Sequence, residues 1–185
     1  MIRGDSKDYE LLEKWAKGFD CQGYKSCEIG VREGLGSKII MDNVLNNYIH
    51  VGVDPYGNLE YQHYDHTGAY TCDYTDAMRD QLLQDFSDYR HQGKFVLCNM
   101  TDTQFMNDTE HRHSTFAFVH FDGPHMSKDV ITEAVWFADR SAPHTRFVFD
   151  DYNQYRMDKV ADILEFWKFK TIECGDNKIC LEKNK

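Results

Sequence analysis

The chain contains no apolar run approaching the roughly 18 residues that cross a bilayer. Its opening residues, M-I-R-G-D-S-K-D-Y-E, lack the apolar core of a signal peptide. The two absences exclude a membrane-spanning protein and predict a chain that stays in the cytoplasm. No basic cluster interrupts a formal net charge of -10. A surface of that sign repels phosphate backbones, which argues against nucleic acid as a partner. The six cysteines, Cys21, Cys27, Cys72, Cys98, Cys174 and Cys180, include no C-x-x-C pair. Several lie in apolar runs where a thiol acts as a small hydrophobe, so reduced thiols are expected. Repeats, low-complexity tracts and linkers are missing as well. A small molecule is the partner that remains.

What is present suffices for one domain over residues 1–185, since 185 residues with 41% hydrophobic and 14% aromatic content can bury a sizeable core. Tyr9, Leu11, Leu12, Trp15 and Phe19 recur at helical spacing, predicting a leading helix over residues 6–18, within a leading segment 1–20, with Ser6 as N-cap. Tyr24 to Ile29 reads as a strand, and Leu35 to Leu45 as a helix with Ile39, Ile40, Val44 and Leu45 inward. Strand Y-I-H-V-G-V-D ends at Asp54, and a polar stretch leads into a helix over residues 76–90; residues 56–92 form a variable segment on the acceptor side. After strand K-F-V-L-C-N comes a weakly patterned segment around Gln104 to Glu110. The runs S-T-F-A-F-V-H-F-D and T-R-F-V-F-D-D are almost continuously apolar, as in parallel strands covered on both faces. Helices over 127–139 and 157–169 alternate with them, and K-T-I-E-C, G-D-N, K-I-C-L-E closes the chain as a hairpin. The predicted class is α/β: a Rossmann-like, doubly wound, mostly parallel seven-stranded sheet with a C-terminal antiparallel hairpin.

The stretch C-E-I-G-V-R-E-G-L-G-S is a strand-to-helix turn, and in such folds ligands bind at the carboxyl ends of the strands. Gly30, Gly34 and Gly36 let the backbone pass close to a ligand, or merely allow tight packing. G-x-G-x-x-G is absent and Glu28 would oppose a pyrophosphate, which points to a cationic or zwitterionic ligand. Asp54, ending the second strand, can accept both hydroxyls of a ribose. Asp122 ends one buried strand and Asp150-Asp151 the next, bringing three acids to one rim. Oxygen ligands so grouped suit Mg²⁺ or Mn²⁺. The bland alternative makes Asp150 or Asp151 a helix cap and Asp122 a turn acid.

Taken together, E-I-G-V-R-E-G-L-G-S, V-G-V-D, F-D-G-P-H and F-V-F-D-D-Y resemble the class I S-adenosylmethionine-dependent methyltransferases. Within them the likeness is to small metal-dependent O-methyltransferases of the catechol, macrocin and cephalosporin-hydroxylase-like groups. It covers residues 24–183, loosely over 56–90. The resemblance implies that Glu28 and Gly30 line the methionine end of S-adenosylmethionine, with Gly34 in the same turn. It implies further that Ser37 holds the methionine carboxylate, Asp54 takes the ribose hydroxyls, and Thr101 and Asp102 contact the adenine. Asp122 borders the cofactor and, with Asp150 and Asp151, matches the family's metal ligands. His125 stands where catechol-type relatives have a lysine base and related groups a histidine, and an imidazole can take a hydroxyl proton; a solvated loop histidine is the other reading. Pro124 departs from the D-G-D form of the macrocin group.

The expected activity is therefore Mg²⁺-assisted methyl transfer from S-adenosylmethionine to an oxygen of a small hydroxylated acceptor, with the pocket open or completed in a homo-oligomer. Two rivals are a nucleotide-binding module of the same fold that needs no carboxylate triad, and a non-haem iron oxygenase using His63-x-Asp65. His63, Tyr64 and His66 otherwise shape an acceptor loop or form polar surface. The H-R-H run, His111 to His113, reads as a solvated connection without zinc-like cysteine partners. Trp136, Phe137, Phe166 and Trp167 are core candidates.

Overall fold

A computed structural model describes residues 2–4, 6–57, 74–124 and 126–185, and the backbone of 60–62 and 69–71. In chain order the elements are α1 (Tyr9–Ala16), β1 (Lys25–Ile29), α2 (Leu35–Asn43), β2 (His50–Val53), β3 (Glu60–Gln62), β4 (Ala69–Thr71), α3 (Asp76–Asp85) and α4 (Ser87–His91). Then follow β5 (Phe95–Cys98), α5 (Asp102–Asn107), β6 (Phe116–Phe121), α6 (Ser127–Ala138), β7 (Ser141–Phe149), α7 (Asp158–Leu164), a 3₁₀ turn (Glu165–Trp167), β8 (Phe169–Cys174) and β9 (Ile179–Lys183). Seven strands form one sheet in the order β5-β2-β1-β6-β7-β9-β8, with β9 antiparallel to both β7 and β8. β3 and β4 pair separately as an antiparallel ribbon inside the polar stretch. Order reverses beside β1, which pairs in parallel with β2 on one side and β6 on the other. That is the switch point at which α/β folds bind ligands.

The two faces of the sheet differ because alternate residues of each strand point oppositely. Cys27, Ile29, Val51, Val53, Val119, Phe121, Phe147 and Phe149 face one way and pack on Val130, Ala134 and Phe137 of α6 and Val160 and Leu164 of α7. The other face carries Phe118, Val148 and Cys180 against Leu12 and Trp15 of α1 and Ile40 of α2. It also carries Ser26, Glu28, His50 and His120, all buried. The polar residues of this second face build the site.

Several element ends differ from expectation. Asp8, at φ 57, occupies the α1 N-cap position without a side-chain cap bond, and Ser6 is used elsewhere. α2 stops at Asn43; Val44 turns extended, and Leu45 gives its N–H to Phe19 O and is 53% exposed. The helix expected over 76–90 breaks at Phe86. Phe137 is core, but Phe166 is 85% exposed because the 3₁₀ turn after Leu164 shifts the helical phase. Among the described residues no helix is long and apolar enough to cross a membrane. Cys21, Cys27, Cys98, Cys174 and Cys180 are free thiols, as expected; Cys72 lies outside the described residues.

Candidate active site

Backbone bonds step along the carboxyl ends of the strands, fixing their last residues side by side. Asp54 N bonds Cys98 O, Gly30 N bonds Val53 O, Asp122 N bonds Ile29 O, and Asp150 N bonds Phe121 O, all within 3.2 Å. Gly30 and Gly34 have φ of 83° and 89°, a conformation that side chains disfavour. A Cβ on Gly30 would strike the Asp122 carbonyl, and one on Gly34 would strike Leu82. The glycines thus bring the turn close to its neighbours.

Asp54 is fully buried. Its Oδ2 accepts the N–H groups of Val31 and Arg32 at 2.9 and 2.8 Å, pinning the turn to β2. Its Oδ1 is buried with no hydrogen-bond partner among the described residues. An acceptor left so is costly unless a ligand satisfies it. Burial raises the Asp54 carboxyl to about 6, against the pull of the two N–H donors.

Glu28 and Ser37 are turned inward. The Ser37 hydroxyl donates to Glu28 Oε2 at 2.5 Å and meets His50 Nε2 at 2.9 Å, while His50 Nδ1 meets Ser26 Oγ at 2.8 Å. Asn47 Nδ2 donates to Ser26, and the other Glu28 oxygen meets His120 Nδ1 at 2.7 Å. Proton counting along the chain follows. Ser37 gives its proton to Glu28, so it takes one from His50 Nε2; His50 Nδ1 is then an acceptor and Ser26 its donor. His50 is neutral, consistent with burial, and then His120, pulling it down to about 3. Gly36 is glycine because a Cβ there would fall on Glu28 Oε1. The Ser37 hydroxyl, which the resemblance gives to the methionine carboxylate, lies between Glu28 and His50. Glu28, 1% exposed with both oxygens engaged, supports the turn from beneath.

Thr101 and Asp102 do reach the rim after β5, but their side chains are committed. Thr101 caps α5 in a reciprocal box with Gln104, an element hidden in the weakly patterned segment. Asp102 lies near Glu133 of α6, whose carboxyl is raised by burial and then by the Asp102 charge. Both residues sit at the start of α5, after β5, where the resemblance places the adenine contact.

The three aspartates do not form a cage. Asp150 Oδ1 accepts from Lys178 Nζ at 2.5 Å and Asn177 Nδ2 at 2.7 Å. Lys178 is fully buried, donates also to Ser6 Oγ at 2.8 Å, and stands 5.0 Å from the Tyr9 ring centroid. Asp122 stands beside Asp150, and its carboxyl is pushed well above the usual range by burial and then by the Asp150 charge. Burial would raise Asp150 too, but the bonds from Asp122 and Lys178 bring it down to about 2. The two carboxyls are thus shifted in opposite directions, Asp122 up and Asp150 down. Asp151 enters the left-handed region at φ 50, and its carbonyl accepts from Gln154 and Tyr155. Among the described residues, His, Cys, Asp and Glu ligand atoms gather in threes within 4.8 Å at Glu28–His120–Asp122 and at Asp108–Glu110–His111. At the central carboxylate of the expected metal set, one oxygen of Asp150 is engaged by a lysine and an asparagine.

The sequence reading passed over Lys178, His120 and His50. A histidine two residues before Asp122 in an apolar strand was a signal for His120; Lys178, in a turn-like G-D-N-K, gave none. His111 is no solvated connection: it is 4% exposed, its Nε2 3.4 Å from Cys98 Sγ and its ring 4.8 Å from that of Phe105. His125, and His63, Tyr64, Asp65 and His66, lie outside the described residues.

A Rossmann-like sheet with an antiparallel β9, a glycine turn after β1 and an acid after β2 defines a class I S-adenosylmethionine-dependent methyltransferase. The chain belongs to the methyltransferase-domain family, whose pattern matches residues 27–152. It is similar in fold to the O-methyltransferase TomG from Streptomyces achromogenes in complex with S-adenosylmethionine (TM-score 0.66, 10% identity, covering 100% of this chain and 82% of that one). An O-methyltransferase from Bacillus cereus with S-adenosylhomocysteine gives a TM-score of 0.63 at 10% identity over 99% and 83% of the two chains. A putative rRNA methylase from Clostridium thermocellum gives 0.61 at 13% over 98% and 100%. No curated protein matches the sequence. With the family assigned, the iron-oxygenase reading falls.

Proposed function

We propose that the enzyme methylates an oxygen of a small hydroxylated acceptor, using S-adenosylmethionine bound across the glycine turn. The observation that carries the reading is Asp54 Oδ1, buried and unpaired beside that turn. A ribose hydroxyl is a donor of the right kind for it, and Gly30 and Gly34 give the turn beside it its left-handed backbone. S-adenosylmethionine supplies, when bound, a methyl group on a positively charged sulfur. The chain's part is to orient and exclude water: Asp54 anchors the ribose end, and Glu28, backed by Ser37 and His120, holds the turn and sets negative charge beneath it. The acceptor hydroxyl must shed a proton as its oxygen takes the methyl, and His125, three residues beyond Asp122, is the proposed base. The acidic surface and the fold likeness to O-methyltransferases support a small acceptor over nucleic acid. Mg²⁺ or Mn²⁺, implied by the resemblance, does not fit the aspartate set, since Asp150 already holds Lys178 and Asn177; no step is drawn through an ion.

Calorimetric titration with S-adenosylmethionine tests the proposal. Asp54→Ala should weaken binding by about 1–3 kcal/mol through loss of charge-assisted bonds. Unchanged affinity in a folded variant would remove Asp54 from the cofactor site.

A further inference from the structure

Two acidic strand ends meet at the rim of the sheet, a geometry whose repulsion must be offset. The structure offsets it with protein. Lys178 leaves the turn before β9, is fully buried, and reaches Asp150 Oδ1 at 2.5 Å; Asn177 donates to the same oxygen at 2.7 Å. The lysine is held on its far side by Ser6 Oγ at 2.8 Å and by the Tyr9 ring, centroid 5.0 Å away. Asp8 Oδ2 accepts the Asn177 N–H at 2.7 Å, fixing the turn that delivers both donors. An ammonium buried this completely, with a carboxylate, a hydroxyl and a ring face around it, is built in. We propose that Lys178 is the resident cation of the carboxylate rim, a positioning residue that fixes Asp150 and Asp122 and makes the site independent of divalent metal. The inference rests on the rim belonging to the methyl-transfer site, but its test does not.

The corollary is that removing the ammonium should open the same acids to an ion. In Lys178→Gln the charge of Asp150 loses its partner while Asp122 and Asn177 remain as further oxygen donors, a set that suits Mg²⁺, Mn²⁺ or Ca²⁺. Thermal melting of the full chain, in chelator and over titrations of MgCl₂, MnCl₂ and CaCl₂, reads this out without any acceptor. The wild type should melt at one temperature throughout. Lys178→Gln should melt about 10 °C lower in chelator and recover part of that loss, saturably, as metal is added. Adding Asp150→Asn to Lys178→Gln should abolish the metal response. If Lys178→Gln does not fold in either condition, this neutral pair decides. A folded, metal-insensitive pair supports charge compensation, and an unfolded pair overturns it. Saturable stabilisation of the wild type by Mg²⁺ or Mn²⁺, or a folded Lys178→Gln no more responsive than the wild type, also overturns the proposal. Binding of S-adenosylmethionine, measured on the same wild-type sample, fails or succeeds separately and reports on the proposed function alone.

Discussion

Asp54 uses its two oxygens differently, and the difference predicts a pH dependence. Oδ2 holds the glycine turn through two N–H donors, while Oδ1 is left for a ligand. Burial sets this carboxyl near 6, above the ordinary aspartate value. Protonation would put an O–H where a ribose hydroxyl needs an acceptor, so affinity for S-adenosylmethionine should fall as pH drops through about 6. Asp54→Asn should bind more weakly and lose that dependence. The apo protein carries the opposite sign: with the folded value raised, the native state binds more protons in this window, and the contribution of Asp54 to stability is lost as pH rises through 6. Titration calorimetry from about pH 5 to 8 checks the first statement, and a wild-type affinity flat across that range would contradict it. Asp54 was legible because an acid closing V-G-V-D must stand at the strand's carboxyl end. The direction of the Ser37 side chain was not legible, because it depends on His50, which enters from the neighbouring strand.

At the scale of elements, strands were more legible than helix ends. Continuous apolar runs marked β6 and β7, whereas Leu45 and Phe166 continue a helical pattern past the point where the backbone abandons it. α5, six residues long, is too short to show a period, although T-D-T-Q spells its capping box. That box yields a prediction. Thr101→Ala removes the acceptor for the Gln104 N–H and should destabilise the protein by about 1 kcal/mol while leaving cofactor affinity unchanged. Denaturant unfolding and calorimetry on the same variant decide it; an affinity loss exceeding the stability loss would return Thr101 to the adenine pocket.

For the molecule as a whole, alternation of strand and helix announced a parallel sheet, and the class followed. What it could not announce was the contrast between the two faces, because Glu28, His50 and His120 look like isolated polar residues until β1, β2 and β6 lie in register. One face is dry and aromatic, with Phe121 and Phe149 stacked at 4.4 Å; the other conducts hydrogen bonds from Asn47 to His120. The surface charge of -10 leads to a further expectation, informative because a fold neighbour is a putative rRNA methylase. Mobility-shift assays with structured RNA at physiological salt should show no complex, and a salt-sensitive complex there would reverse the choice of a small acceptor.

The bonds joining Ser6 and Asp8 to Asn177 and Lys178 span most of the chain. On the ribosome the first of these partners emerges long before the last. The acids at the ends of β6 and β7 are therefore translated while the lysine that balances them is still to come. Charge closure of the rim therefore waits for the turn before β9, and Ser6 and Asp8 find their partners there only once that turn is made.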